Sequence, residues 1–122
     1  MIFINISNHP SAKWNEKQLA DARQYGEIID IPFPAIPAIA GEEYIEDLSC
    51  QFAKEIMAKY VPGDAVLHIM GEMCFTFALV NRLLSNGYIC LASTTERIVK
   101  ETEPGHKEVA FEYVRFRRYH VN

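Results

Sequence analysis

AVLHIMGEMCFTFALVNRLLSNGYICLA, Ala65 to Ala92, is the stretch whose reading decides the fold. Its first six residues, Ala65 to Met70, form a run apolar on both faces, which suits a strand covered by other elements on two sides. Gly71-Glu72 turns the chain. Cys74 to Ser85 follows as a strongly apolar helix ended by Asn86-Gly87, and Tyr88 to Ala92 is another short strand. Two buried strands joined through a helix by short turns must lie parallel, because an antiparallel return would need no helix between them.

The chain upstream repeats the pattern. Met1 to Ser7 is a short strand built on Ile2, Phe3, Ile4 and Ile6, broken by Asn8-His9-Pro10-Ser11, where Pro10 removes a donor and biases His9 away from helical geometry. A helix is expected from Asn15, its N-cap, to Tyr25, with Gly26 as its stop. Glu27 to Phe33 reads as a second strand ended by Pro32 and Pro34. PAIPAIAG, residues 34–41, is a tight loop. From Glu42 to Tyr60 the residues Tyr44, Ile45, Leu48, Phe52, Ile56 and Met57 recur at helical spacing, before Pro62-Gly63-Asp64 ends the helix.

Downstream, Arg97 to Thr102 and Lys107 to Tyr119 flank a Pro104-Gly105 turn and read as a β-hairpin that continues the fourth strand. The whole is an α/β domain over residues 1–122. It is expected to have three layers, with an open, mostly parallel sheet and an antiparallel hairpin at one edge.

Composition narrows the function. A formal net charge of −4 argues against broad binding to duplex DNA, which needs an extended basic face, but permits a small anion in a local cationic pocket. The three cysteines, Cys50, Cys74 and Cys90, form no CxxC pair and sit in apolar stretches as small hydrophobes, so neither a disulfide framework nor a metal site is expected. No apolar run reaches the roughly 18 residues of a membrane span and no leader opens the chain, so a cytoplasmic location is expected.

In open α/β sheets, ligands collect outside the carboxyl ends of the strands. Three polar clusters are expected there: Ser7-Asn8-His9, Gly71-Glu72-Met73 and Ser93-Thr94-Thr95-Glu96-Arg97. Gly71 opens a helix whose free N–H groups suit a phosphate, and tight helix–strand packing explains the glycine as well. Glu72 has three open roles: helix cap, partner of a ribose hydroxyl, or base. The hydroxyls of the third cluster and Arg97 suit phosphate oxygens; a polar β-branched strand is the alternative. Histidine is the side chain that exchanges protons near neutral pH, which makes His9 a candidate for proton transfer, although Asn8-His9-Pro10 also satisfies plain turn chemistry.

His68, inside an apolar strand, reads as a core histidine. Arg115, Arg117 and Arg118, interleaved with Phe111, Tyr113, Phe116 and Tyr119, fit a charged edge strand or dimer edge better than a nucleic-acid grip. Alternation would set Arg115 and Arg117 on one face and Phe116 and Arg118 on the other. Trp14 follows the first rim loop as a lid or as cover for the sheet.

The run from Ala92 to Val99, the segment Phe111-Glu-Tyr-Val-Arg-Phe-Arg-Arg-Tyr119, the Gly71-Glu-Met-Cys-Phe-Thr-Phe turn and helix, and Ser7-Asn8-His9 together resemble small standalone CRISPR-associated proteins of the CARF type. Within that group the chain looks most like the compact ring-nuclease families. The resemblance covers most of the chain and is specific mainly over residues 64–119. It implies a Rossmann-like homodimer that binds cyclic oligoadenylate, the second messenger of type III CRISPR immunity. It also implies ring opening without metal or cofactor, by attack of a ribose 2′-hydroxyl on the adjacent phosphate.

Carried over by position, His9, Ser7 and Glu72 are the catalytic candidates. Asn8, Gly71, Met73, Thr76, Ser93, Thr94, Thr95 and Arg97 would contact the ligand. CARF domains also include sensors that bind without cleaving. With no effector domain in the sequence, disposal of the messenger is the expected role. A binding module without catalysis and a dimeric interaction protein stand as alternatives.

Overall fold

The computed structural model describes residues 1–120. In chain order the elements are β1 (Ile2–Ser7), α1 (Glu16–Arg23), β2 (Glu27–Asp30), α2 (Glu42–Lys59), β3 (Ala65–Met70), α3 (Met73–Ser85), β4 (Ile89–Glu103) and β5 (His106–Arg118), with short 3-10 turns at Ser11–Lys13 and Pro62–Asp64. The five strands make one mixed sheet in the order β2-β1-β3-β4-β5. The first four strands run parallel and β5 returns antiparallel along β4.

Strand alternation divides the core in two. Ile4, Ile6, Leu67, Ile69 and Cys90 point to the face covered by α2 and α3, where they meet Ala53, Ile56, Phe75, Leu79 and Leu83. Phe3, Val66 and Leu91 point to the opposite face, where Trp14, Ala22 of α1, and Tyr113 and Phe116 of β5 cover them. Each fully buried leucine, such as Leu79 or Leu83, contributes about 2 kcal/mol. No helix among the described residues is long and apolar enough to cross a membrane.

Local chemistry sets the helix ends. Asn15 caps α1, its side-chain oxygen accepting from Gln18 N–H at 2.8 Å. Gly26 holds φ +155, and a Cβ there would lie 1.9 Å from the Met1 carbonyl oxygen, so only glycine lets α1 turn back beside β1.

Three sequence expectations shift, and a bulge adds a feature the sequence did not mark. β2 ends at Asp30 rather than Phe33, because Ile31 to Phe33 already lead into the proline loop. β4 runs on without a break from Ile89 to Glu103, so Ser93 to Arg97 lie inside the strand rather than past its end at Ala92. A bulge between Thr94 and Thr95 leaves Val114 unpaired on β5, which brings Tyr113 and Phe116 to the same buried face although they are three residues apart. Cys74 is exposed, while Cys90 is buried and Cys50 half-buried.

Candidate functional site

Three strands carry a polar residue on the α1 face: Asn5 then Ser7 near the carboxyl end of β1, His68 near that of β3, and Ser93 on β4 just past the end of its parallel pairing with β3. The parallel register sets Asn5 beside His68. With the rings of Phe3, Trp14 and Phe116 packed around them, these groups are best satisfied by one another, since a buried polar group without a partner is costly.

They do so as one connected chain. Asn5 Nδ2 donates to Asp30 Oδ1 (2.8 Å) and to the His9 carbonyl (3.0 Å). Asn5 Oδ1 lies 2.8 Å from Ser7 Oγ and 2.9 Å from His68 Nδ1. His68 Nε2 lies 3.2 Å from Ser93 Oγ. Asp30 also accepts from Ser11 Oγ (2.6 Å) and Ser11 N–H (3.1 Å). Partial burial of Asp30 works against its charged form, but the bonds from Ser11 and Asn5 outweigh it and hold the carboxyl below its ordinary range.

Above this chain opens a cavity of about 700 Å³. Ser7, His68, Met70 and Ser93 form its sheet side, Trp14, Phe111 and Tyr113 its aromatic walls, and Asn8, His9, Lys13, Asn15, Gln18, Gly71 and Thr95 the remainder. No carboxylate is among the described lining residues, although the chain as a whole is acidic; Lys13 and His9 are the basic side chains there. Tyr113 is fixed against α1 by donating to Asp21 Oδ2 at 2.7 Å. Burial and that carboxylate raise the Tyr113 phenol well above its usual value, so it remains protonated. The loop after β1 is tied at one point: the His9 carbonyl accepts from Trp14 Nε1 (3.0 Å) as well as from Asn5, so Trp14 covers the sheet and its ring is held in place.

The cavity thus brings together Ser7, Asn8, His9, Gly71, Ser93 and Thr95 from the three rim clusters. It leaves out Glu72, Met73, Thr76, Thr94 and Arg97. Glu72 turns back on its own helix and caps α3 by accepting from Phe75 N–H at 2.7 Å, which fills a donor that a phosphate would otherwise use. Gly71 has a packing reason as well: a Cβ there would lie 2.2 Å from the Phe33 ring.

Met73 is exposed to solvent and Thr76 is buried in the first turn of α3, its hydroxyl without a partner among the described residues. The Thr94 hydroxyl bonds the Arg115 backbone at the bulge. Arg97 is exposed and pairs with Phe111, so it lies one step outward on the ribbon face that Thr95 and Tyr113 present to the cavity.

Asn5, Asp30 and His68 belong to the site yet escape a reading based on strand ends. Their signal is positional: Asn5 and His68 each interrupt an apolar strand two residues before its last residue.

One protein-family model, that of the Uncharacterized protein MJ1673 family, matches the chain over residues 1–117. No curated protein and no solved structure matches it.

Proposed function

The chain belongs to the Uncharacterized protein MJ1673 family, and we propose that it binds a cyclic oligoadenylate in the cavity at the ends of β1 and β3, beside Ser93 and Thr95 of β4, and opens the ring. The observation that carries this reading is the cavity's lining. It combines aromatic walls with serine and threonine hydroxyls, Lys13 and His9, and has no carboxylate among its described lining residues. Aromatic faces suit bases, while cations and hydroxyls suit the phosphates between them. The location is supportive too, since β1 and β3 flank the point where the strand order reverses, and such crevices receive nucleotides in doubly wound, Rossmann-like sheets.

In this reading the ligand supplies its own nucleophile. A ribose 2′-oxygen attacks the adjacent phosphorus and loses its proton, the bond from phosphorus to the 5′-oxygen breaks, and that oxygen takes up a proton. The products are a 2′,3′-cyclic phosphate and a 5′-hydroxyl. The chain's part is to align the attack and stabilise the charged oxygens. His9 stands at the mouth for proton transfer. Lys13, with Arg97 further out, draws in the phosphates.

A homodimer fits the same reading. The outer part of the β4–β5 ribbon exposes Val99, Val109 and Phe111, and a second copy laid on this face would extend the cavity around a ring.

A second reading, binding without cleavage, is favoured by one observation. Of the three catalytic candidates, Ser7 is engaged with Asn5 and the His9 backbone and Glu72 caps α3, which leaves only His9 free. Incubation with cyclic tetra- and hexa-adenylate in EDTA, followed by product separation, decides between the two. Linear products ending in a 2′,3′-cyclic phosphate are expected, with His9→Ala slowing cleavage more than it weakens binding. Intact ligand that raises the melting temperature would establish the binder instead. Neither cleavage nor a thermal shift would remove both.

A further inference from the structure

Ring opening by a ligand hydroxyl leaves the most ordered part of the site without a task. The Asn5 amide has its orientation fixed by its neighbours: Nδ2 faces two acceptors, the Asp30 carboxylate and the His9 carbonyl, so Oδ1 is the atom that faces His68. An amide oxygen can only accept, so His68 Nδ1 carries the proton. In the neutral ring Nε2 is then a bare lone pair, aimed at Ser93 Oγ at 3.2 Å. The Ser93 hydroxyl has a second acceptor within reach, Met70 Sδ at 3.0 Å, but a thioether is far weaker than an imidazole nitrogen.

The ring cannot turn away. Phe3 stacks on it at 6.2 Å, and Trp14 and Phe116 meet it edge-on at 5.5 and 5.3 Å. His68 is 1% exposed, and burial, with the nearby His9 charge adding to it, lowers its pKa to about 4, which keeps the ring neutral at pH 7. Serine, imidazole and an acceptor behind the imidazole, in that order and at hydrogen-bond distances, form the arrangement that activates hydroxyl nucleophiles in unrelated folds. Here Asn5 takes the third place, with the Asp30 carboxylate behind it.

We propose that Ser93 is an activated nucleophile, with His68 as its base and Asn5 and Asp30 holding that base, able to attack a phosphorus ester bound in the cavity. This goes beyond ring opening by the ligand's own hydroxyl and stands on different atoms. Ser93 Oγ bonds to phosphorus and its proton passes to His68 Nε2. The bond from phosphorus to the leaving oxygen breaks with its electron pair, and that oxygen takes the proton from His68. Water then displaces Ser93 from phosphorus, His68 again taking and returning the proton. The imidazolium formed in each half keeps its Nδ1–H bond to Asn5 Oδ1, and the Asp30 carboxylate behind Asn5 offsets its charge.

The test uses the full chain and an alkyl fluorophosphonate, in which fluoride replaces the leaving oxygen and the phosphonyl group stays on the nucleophile. Peptide mass spectrometry should find one adduct, on Ser93. It should be absent from Ser93→Ala, at least 100-fold slower to form in His68→Gln, and lost when the parent is unfolded in urea. No adduct on the parent, an adduct forming as fast on Ser7 or Thr95, or equal labelling in urea would overturn the proposal. So would an unchanged rate in His68→Gln. If His68→Gln does not fold, the contrast between folded and urea-unfolded parent and the choice of Ser93 over Ser7 and Thr95 decide the matter alone. Labelling of Ser93 by a parent that leaves both cyclic tetra- and hexa-adenylate intact would end the ring-opening reading and keep this one; ring cleavage by a parent that takes no label would do the reverse.

Discussion

His68 is neutral because burial among three rings, with the nearby His9 charge adding to it, disfavours the imidazolium, and that neutrality has a thermodynamic consequence. Its pKa in the folded chain, about 4, lies below the ordinary 6.5, so the unfolded chain takes up the proton first. The stability tied to this group is therefore complete above pH 6.5 and drains as the pH falls toward 4, by about 3 kcal/mol in all. Urea unfolding at pH 7.5 and pH 4 should show that loss in the parent, with a markedly smaller one in His68→Gln. Equal losses in the two would mean that His68 titrates normally. The sequence shows the burial of His68 but not its partners. A lone histidine among Leu67 and Ile69 looks like any core histidine until the register sets Asn5 beside it, and register is a property of the sheet. Ser7, Asn8 and His9 were legible because a strand end followed by a proline can be read locally.

At the level of elements, the start of α3 was one of the anion sites expected from the sequence, and its first turn is closed by its own cap. The Glu72 carboxylate bonds Phe75 N–H, so its negative charge already answers the helix dipole. Glu72→Ala should lower stability by about 1 kcal/mol in urea unfolding, and should leave the chemistry of the cavity as it was. A loss of cleavage or of Ser93 labelling without a loss of stability would return Glu72 to the site. Gly71→Ala is the harsher change, because the new Cβ would meet the Phe33 ring, itself packed edge-on against Phe75 at 5.3 Å. Relieving that overlap should cost about 1–3 kcal/mol, read as a lowered urea midpoint.

The elements themselves were largely legible. β3 begins and ends where its apolar run does, and the helical spacing of Ile45, Leu48, Phe52 and Ile56 locates α2. The long β4 was not. Beyond Ser93 it leaves the packed sheet, so hydroxylated and charged residues replace the apolar ones that mark a buried strand, and the apolar pattern alone ends the strand at Ala92. The bulge that turns Tyr113 and Phe116 to one face also has no local mark.

Across the whole molecule, the two apolar faces of the sheet are covered, yet the β4–β5 ribbon runs on past them with Val99, Val109 and Phe111 exposed. Two-stranded ribbons are marginal alone, and in the proposed function a second copy covers this one. Sedimentation should give a dimer for the parent and a monomer for Phe111→Asp; a parent that stays monomeric as its concentration is raised 100-fold would exclude the ribbon as an interface. A dimer would also set the reach of the cavity, which begins where the ribbon leaves the sheet. Trp14 forms part of that cavity and is the single tryptophan in the chain, so its fluorescence reports on this one place. The most direct measurement is therefore a titration of the parent and of Lys13→Ala with cyclic tetra- and hexa-adenylate, followed by Trp14 emission in EDTA. The predicted result is a saturable change in the parent, weakened by added salt and by loss of Lys13. A ligand that raises the melting temperature without moving Trp14 emission, or that moves neither, would contradict the placement of the site.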